Sequence, residues 1–83
     1  MLQEKKHIPL LVPDIGDAEK IELVQWNIQE GELVEEGSEL CELVTSKATF
    51  PLESPFKGRI IKILKGTGST VKVGEEVAII EVS

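Results

Sequence analysis

Lys47 is the residue of this sequence whose side chain is best placed to do chemistry. It lies in the short polar segment 45–48, between the apolar runs 40–44 and 49–52, each of which has the length and composition of a strand. A polar break of this size predicts a hairpin turn, so the Lys47 ammonium should stand at the tip, away from any core. An exposed lysine is usually only a solvated charge. A lone amine at a hairpin tip also suits a covalent handle, and the surrounding sequence favours that interpretation.

The sequence on both sides of Lys47 resembles a known attachment hairpin. Residues 40–48, followed by the segment 54–60, are similar to the hairpin of lipoyl domains from the E2 acyltransferases of 2-oxo acid dehydrogenase complexes, within the biotin/lipoyl attachment family. The opening segment 12–17 resembles the start of the same domains. The resemblance therefore runs through nearly the whole chain, and its strength lies in the joint order and spacing of the motifs.

This resemblance implies a carrier that is not itself an enzyme, with the organic chemistry residing in the cofactor. Lipoate would be joined to Lys47 as an amide by a lipoate ligase or lipoyl transferase, and Thr45, Ser46 and Ala48 would form the recognised turn. The implied partners are a thiamin-dependent E1 dehydrogenase, the E2 acyltransferase domain and dihydrolipoamide dehydrogenase.

Three alternatives from the same fold remain open. Biotinyl carrier domains have methionine on both sides of the lysine, whereas Lys47 is flanked by Ser46 and Ala48, so biotin is disfavoured. Glycine-cleavage carriers lack the acidic residue before the lysine, as this chain does, but they are longer and have an additional helix. An unmodified lipoyl-like adaptor would usually carry an insertion in the hairpin, which is compact here.

Two positions depart from the E2 pattern. The family usually has aspartate before the lysine and an acidic residue four positions after it, where this chain has Ser46 and Pro51. The loss of both carboxylates bears on which dehydrogenase recognises the tip. Pro51 also lacks an amide donor, which predicts an edge strand or a bulge.

Length and composition limit the function classes. Eighty-three residues with 41% apolar content predict one domain, 1–83, with an ordered core of about 8–82 and a flexible N-terminus at 1–7. The net charge of −6 argues against nucleic-acid binding, and no run reaches a membrane-spanning length. One histidine and one cysteine provide no metal cluster. We expect a monomer in a reducing compartment, the cytoplasm or the mitochondrial matrix of a eukaryote, with Cys41 as a core residue.

An internal repeat predicts the fold. Residues 26–44 align with 63–81 at an offset of 37, and residues 10–13 align with 52–55 at an offset of 42. The five extra residues between about Asp14 and Lys20 form an enlarged loop beside the tip, which we interpret as a partner-recognition loop. Its residues are Asp14, Ile15, Gly16, Asp17, Ala18 and Glu19. The repeat also aligns Lys47 with the two chain ends, so the tip should lie at the opposite pole from both termini.

The predicted architecture is an all-β flattened barrel-sandwich hybrid of two four-stranded, mainly antiparallel sheets with pseudo-two-fold symmetry. The predicted strands are about 8–12, 20–28, 33–35, 39–44, 48–52, 58–64, 70–73 and 76–82. A shift of the apolar phase at residues 23–24 and again at 60–61 predicts a bulge or a crossing between sheets. The predicted core residues are Leu23, Trp26, Val34, Leu40, Leu43, Ile60, Ile63, Val71, Val77 and Ile80.

Overall fold

Eight strands and no helix make up the described part of the computed structural model, which comprises residues 4–15 and 20–83. The strands β1 to β8, in chain order, are Lys6–Leu11, Ile21–Trp26, Leu33–Val34, Glu39–Val44, Thr49–Glu53, Gly58–Ile63, Ser69–Val71 and Glu76–Val82. The all-β prediction is confirmed, and each predicted strand overlaps one observed strand. Within the described ranges the chain has no helix that could span a membrane.

The strands form two separate four-stranded sheets, neither of which is a closed barrel. The first sheet has the order β1-β8-β6-β3 and the second has the order β5-β4-β2-β7, and every strand pair in the described residues is antiparallel. β1 begins at Lys6, two residues earlier than predicted, because Lys6 and His7 pair with Val82 and Glu81. Pro51 lies in the edge strand β5, as its missing amide donor predicts.

The two halves of the chain are related by a pseudo-two-fold axis, which confirms the predicted repeat. The offset of 37 places β2, β3 and β4 on β6, β7 and β8, and the offset of 42 places β1 on β5, so the strand order of one sheet becomes that of the other. Hydrogen bonds between the halves are reciprocal: the Gly31 N–H donates to the Ile60 carbonyl at 2.6 Å, and the Gly68 N–H donates to the Leu23 carbonyl at 2.7 Å.

The predicted breaks in strand phase are register shifts. The pairing of β2 with β4 slips between Leu23 and Gln25, and the pairing of β6 with β8 slips between Ile60 and Lys62. An extra residue on one strand reverses the alternation of inward and outward side chains, which explains the adjacent apolar residues in the sequence. Gly31, Gly37, Gly68 and Gly74, in the connections between strands, all have positive φ, between 84° and 91°.

A core of branched apolar side chains fills the space between the sheets. The buried apolar residues are Leu10, Val12, Ile21, Leu23, Val34, Leu40, Cys41, Leu43, Leu52, Ile60, Val71, Val77, Ala78 and Ile80. Trp26 and Ile63 were predicted in this core but are half-buried and pack against its margin. These two residues are equivalent under the pseudo-two-fold, and each is the last residue of its strand.

Strand pairing separates the termini from the Thr45–Ala48 connection. Lys6 lies opposite Val82, so the start of β1 and the end of β8 share one end of the first sheet. β1 runs away from that end. At the far end Ile21 begins β2, beside the connection between Val44 and Thr49. The molecule extends 49 Å along its long axis and about 20 Å across it. The Lys47 hairpin therefore lies at the pole opposite the start of β1 and the end of β8, as predicted.

Candidate functional site

The candidate site is the four-residue connection between β4 and β5. The strands remain paired up to Val44 and Thr49, and the Thr45 N–H donates a 2.9 Å hydrogen bond to the Ala48 carbonyl just beyond that pair. Ser46, Lys47 and Ala48 are exposed, whereas Thr45 is half-buried. The hairpin thus places the Lys47 backbone outside the core, with its side chain in solvent.

The Thr45 side chain forms three hydrogen bonds within this turn. Its Oγ1 lies 3.2 Å from both the Lys47 nitrogen and the Ala48 nitrogen and accepts a hydrogen bond from each, and it donates to the Ala48 carbonyl at 3.3 Å. Threonine hydroxyls commonly bond to backbone groups two or three residues ahead. The turn therefore needs no glycine, and the only residues with positive φ in the described chain are glycines elsewhere.

The Lys47 amine is available for reaction. Among the described residues no ion pair engages its ammonium, since the three ion pairs of the structure lie at Lys5 and His7 with Glu81 and at Lys65 with Glu75. Its neighbours Ser46 and Ala48 are small, so access to the amine is open on both sides of the chain. The site thus displays an exposed primary amine, which is the chemistry of an acceptor for modification.

A shallow groove of about 300 Å³ borders the turn on the β2 side. It is lined by Lys20, Glu22, Val44, Thr45 and Ser46. Lys20 and Glu22 did not stand out in the sequence, because their proximity to Ser46 depends on pairing between strands more than 20 residues apart. The pairing of Glu22 with Val44 brings them there.

The predicted recognition loop is described only at its edges. Asp14 is exposed and Ile15 packs against the core from a half-buried position. Gly16, Asp17, Ala18 and Glu19 lie outside the described residues. Lys20, immediately after them, is the loop-flanking residue that the structure brings beside the turn.

A larger groove of about 440 Å³ lies at the other pole, where its lining includes Lys57, Arg59 and Ser83. The offset of 37 relates these residues to Lys20, Glu22 and Ser46, so this groove is the pseudo-two-fold equivalent of the groove beside the turn. It is remote from Lys47 and belongs to the terminal end of the domain.

Cys41 is the only thiol of the chain and is fully buried, as predicted. Burial in apolar surroundings raises the pKa of its thiol to about 12. The thiolate is the nucleophilic form, so Cys41 is unreactive near neutral pH. Any thiol chemistry at this domain must therefore come from an attached group.

Comparison with known proteins agrees with this geometry. The family model described as "Biotin-requiring enzyme", which covers biotin and lipoyl attachment domains, matches residues 8–80. The chain is 40% identical over 72 residues to the lipoamide acyltransferase component of the branched-chain alpha-keto acid dehydrogenase complex of Pseudomonas aeruginosa, covering 86% of this chain and 17% of that protein. It is 43% identical over 68 residues to the mitochondrial protein of the same description from Arabidopsis thaliana, covering 82% and 14%.

A solved structure supports the fold alone. The crystal structure of Kluyveromyces lactis urea carboxylase has a TM-score of 0.76 at 20% identity, covering 96% of this chain and 7% of that one. The chain spans less than a fifth of the length of the curated relatives that it matches.

The match over residues 8–80, which is nearly the whole chain, defines the class of protein. The chain belongs to the biotin/lipoyl attachment family. Its curated relatives are E2 components of 2-oxo acid dehydrogenase complexes, and within the family the chain is a lipoyl domain of that type. The resemblance inferred from the sequence is thereby confirmed.

Proposed function

We propose that this domain carries lipoate as an amide on Lys47 and moves acyl groups and electrons between the active sites of a 2-oxo acid dehydrogenase complex. The observation that carries the proposal is the display of Lys47 at an exposed four-residue turn, at the pole opposite both chain ends. Its similarity to lipoamide acyltransferase components supports the choice of lipoate.

The residues at the turn fit an attached lipoyl group. The Lys47 side chain is exposed, so conversion of its ammonium to an amide removes a solvated charge without burying polar atoms. Ser46 and Ala48 are too small to obstruct the arm. When attached, lipoate supplies a dithiolane that can take up an acyl group with reduction and be reoxidised to the disulfide. The protein contributes position, and Cys41 stays protonated and buried, so it does not enter thiol exchange.

The shape of the domain suits a tethered carrier. The start of β1 and the end of β8 lie at one pole, so attachment to a larger protein on either side leaves the Lys47 pole directed outward. Tethering raises the effective concentration of the arm at each partner active site. The proposed partners are a lipoate ligase or lipoyl transferase, a thiamin-dependent E1 dehydrogenase, an E2 acyltransferase domain and dihydrolipoamide dehydrogenase. The domain itself is proposed to be non-catalytic, in the cytoplasm or, in a eukaryote, the mitochondrial matrix.

The test is enzymatic lipoylation of the chain followed by intact mass measurement and peptide mapping. We expect a single lipoyl addition, located at Lys47 among the eight lysines. Lys47→Arg should accept none, whereas Lys57→Arg, which alters an exposed lysine at the other pole, should be lipoylated like the wild type. Addition at another lysine, or no addition with a ligase shown to be active on a lipoyl domain, contradicts the proposal.

Biotin is the rival cofactor, because the matching family model includes biotin carriers. The same experiment with a biotin ligase and biotin separates the two. Biotinylation of Lys47 at a rate comparable with lipoylation would show that the domain is a biotin carrier. We expect no biotinylation, because Ser46 and Ala48 replace the methionines on both sides of the lysine.

A further inference from the structure

Thr45 uses all of its side-chain hydrogen bonding within the turn that displays Lys47. A hydroxyl has one donor and two acceptor positions. Here it accepts from the N–H groups of Lys47 and Ala48, both at 3.2 Å, and donates to the Ala48 carbonyl at 3.3 Å. One side chain thus binds the lysine's own backbone nitrogen and both backbone groups of the residue after it.

Thr45 is also anchored to the rigid part of the hairpin. It directly follows Val44, which is paired with Thr49, and it is half-buried while the next three residues are exposed. Branching at Cβ restricts the side chain to few χ1 rotamers, so the hydroxyl has little freedom of its own. The position of the hydroxyl is therefore set by the end of β4, and the hydroxyl in turn sets the path of the backbone at Lys47.

We propose that Thr45 is a positioning residue for the covalent modification of Lys47, a role that rests on the function proposed above. In that reaction the neutral Lys47 amine attacks the carbonyl carbon of a lipoyl adenylate. The C–N bond forms, the bond from that carbon to the phosphate oxygen breaks, AMP leaves, and the amine releases a proton to solvent. A turn held by Thr45 presents the amine in few orientations, so a ligase can align it without first ordering the loop.

Two substitutions separate the hydroxyl from the shape of the side chain. Thr45→Val keeps the branching and volume and removes the three hydrogen bonds, whereas Thr45→Ser keeps the hydroxyl. Thr49→Val removes the hydroxyl of an exposed threonine in the same hairpin and is the matched control. Initial rates of lipoylation would be measured with a lipoate ligase, lipoate and ATP over a range of domain concentrations.

We expect Thr45→Val to lower kcat/KM by about tenfold, mainly through kcat, because misalignment of a reacting group costs rate more than binding. Thr45→Ser and Thr49→Val should remain close to the wild type. Acetylation of Lys47 by acetic anhydride needs only exposure of the amine, so it should proceed equally in all four proteins.

Amide hydrogen exchange distinguishes positioning from a general loss of stability. In Thr45→Val the amides of Lys47 and Ala48 should exchange faster, with unchanged exchange in β4 and β5. Wild-type lipoylation kinetics in Thr45→Val, an equal loss in Thr45→Ser, or faster exchange throughout both strands would each overturn the inference. If the wild-type chain itself is not lipoylated, the proposed function fails and this role fails with it. If wild type and Thr45→Val are lipoylated equally, only this inference fails.

Discussion

The indole Nε1 of Trp26 donates a 2.7 Å hydrogen bond to the backbone carbonyl of Lys65. Trp26 ends β2 in the second sheet, and Lys65 follows β6 of the first sheet, so this bond joins the two sheets at the margin of the core. It also explains why the tryptophan is only half-buried. The ring packs against the core while its polar edge reaches the Lys65 carbonyl.

Trp26→Phe should destabilise the domain by about 1 to 3 kcal/mol, because it leaves the Lys65 carbonyl without its donor and replaces the indole with a smaller ring. Chemical denaturation followed by far-ultraviolet circular dichroism measures the change, since the variant lacks the tryptophan signal. A wild-type denaturation midpoint in the variant would show that solvent replaces the indole donor at no cost.

Gly58 provides a second prediction about stability. A Cβ at this position would collide with the backbone carbonyl of Glu81 and would lie 3.1 Å from Ile80 Cγ1, because β6 and β8 pass closely here. Backbone atoms cannot move aside as the end of a flexible side chain can. We expect Gly58→Ala to cost about 1 to 3 kcal/mol through overpacking.

Gly66→Ala is the matched control for that substitution. A Cβ at Gly66 meets no atom within 4 Å, and its φ is not positive. Its denaturation midpoint should equal or slightly exceed that of the wild type, because alanine reduces the entropy of the unfolded chain. Equal losses in the two variants would contradict an effect of the close approach between β6 and β8.

The positions of the strands and their register shifts can be predicted from the sequence, because they depend on local turn residues and on the periodic alternation of apolar residues. The phase breaks at Leu23 and Ile60 predict register shifts, since one extra residue reverses a period of two. The hydrogen bonds of Thr45 were not predicted, although the common pattern of a threonine bonding two and three residues ahead was available as a signal.

Other features depend on relationships between distant residues and could not be predicted in this way. The half-burial of Trp26 depends on its approach to Lys65, 39 residues further along the chain, and the groove beside Ser46 depends on the approach of Lys20. Neither the alternation of apolar residues nor the repeat gives the distance between the two sheets. The repeat does give the separation of Lys47 from the termini, because it relates the hairpin tip to the chain ends.

Two carboxylates link the stability of the domain to pH. A hydrogen bond from the Lys65 side chain, and then one from the Lys72 backbone, lower the pKa of Glu75 below 4.5. A hydrogen bond with His7 is the main cause that lowers the pKa of Glu81. Folding therefore favours the ionised form of both groups. Their contribution is present above the ordinary pKa of 4.5 and is lost as the pH falls through the lower folded-state values.

The double variant Glu75→Gln with Glu81→Gln should accordingly lose less stability than the wild type between pH 6 and pH 3. Both groups are partly exposed to solvent, so the difference should be small and should shrink further at high salt. Urea midpoints across this range measure it. Glu36→Gln with Glu53→Gln changes two carboxylates that are exposed and is the control for net charge. Identical pH profiles of the two double variants would contradict a specific role for the two hydrogen-bonded carboxylates.

Ser46→Asp tests whether the residue before Lys47 affects lipoylation or partner recognition. Serine and aspartate both suit a short turn, and the Ser46 side chain is exposed, so lipoylation should be nearly unchanged. A dehydrogenase adapted to the usual E2 pattern would gain a charge-assisted contact of about 1.5 to 3 kcal/mol from the new carboxylate. Reductive acylation of the lipoylated domain should then improve by about tenfold or more in kcat/KM.

Lys20 modifies the expected effect of Ser46→Asp, because it lines the same groove as Ser46 and can partly neutralise a carboxylate there. Combining Ser46→Asp with Lys20→Gln should therefore increase the gain in reductive acylation, whereas Ser46→Asn, which has the shape of aspartate without the charge, should give none. Both steps are measured on the same preparations, lipoylation by intact mass and reductive acylation with the E1 dehydrogenase and its 2-oxo acid. Loss of lipoylation in Ser46→Asp would show that the turn does not tolerate the change. Equal reductive acylation in all four proteins would show that Ser46 is a neutral surface residue.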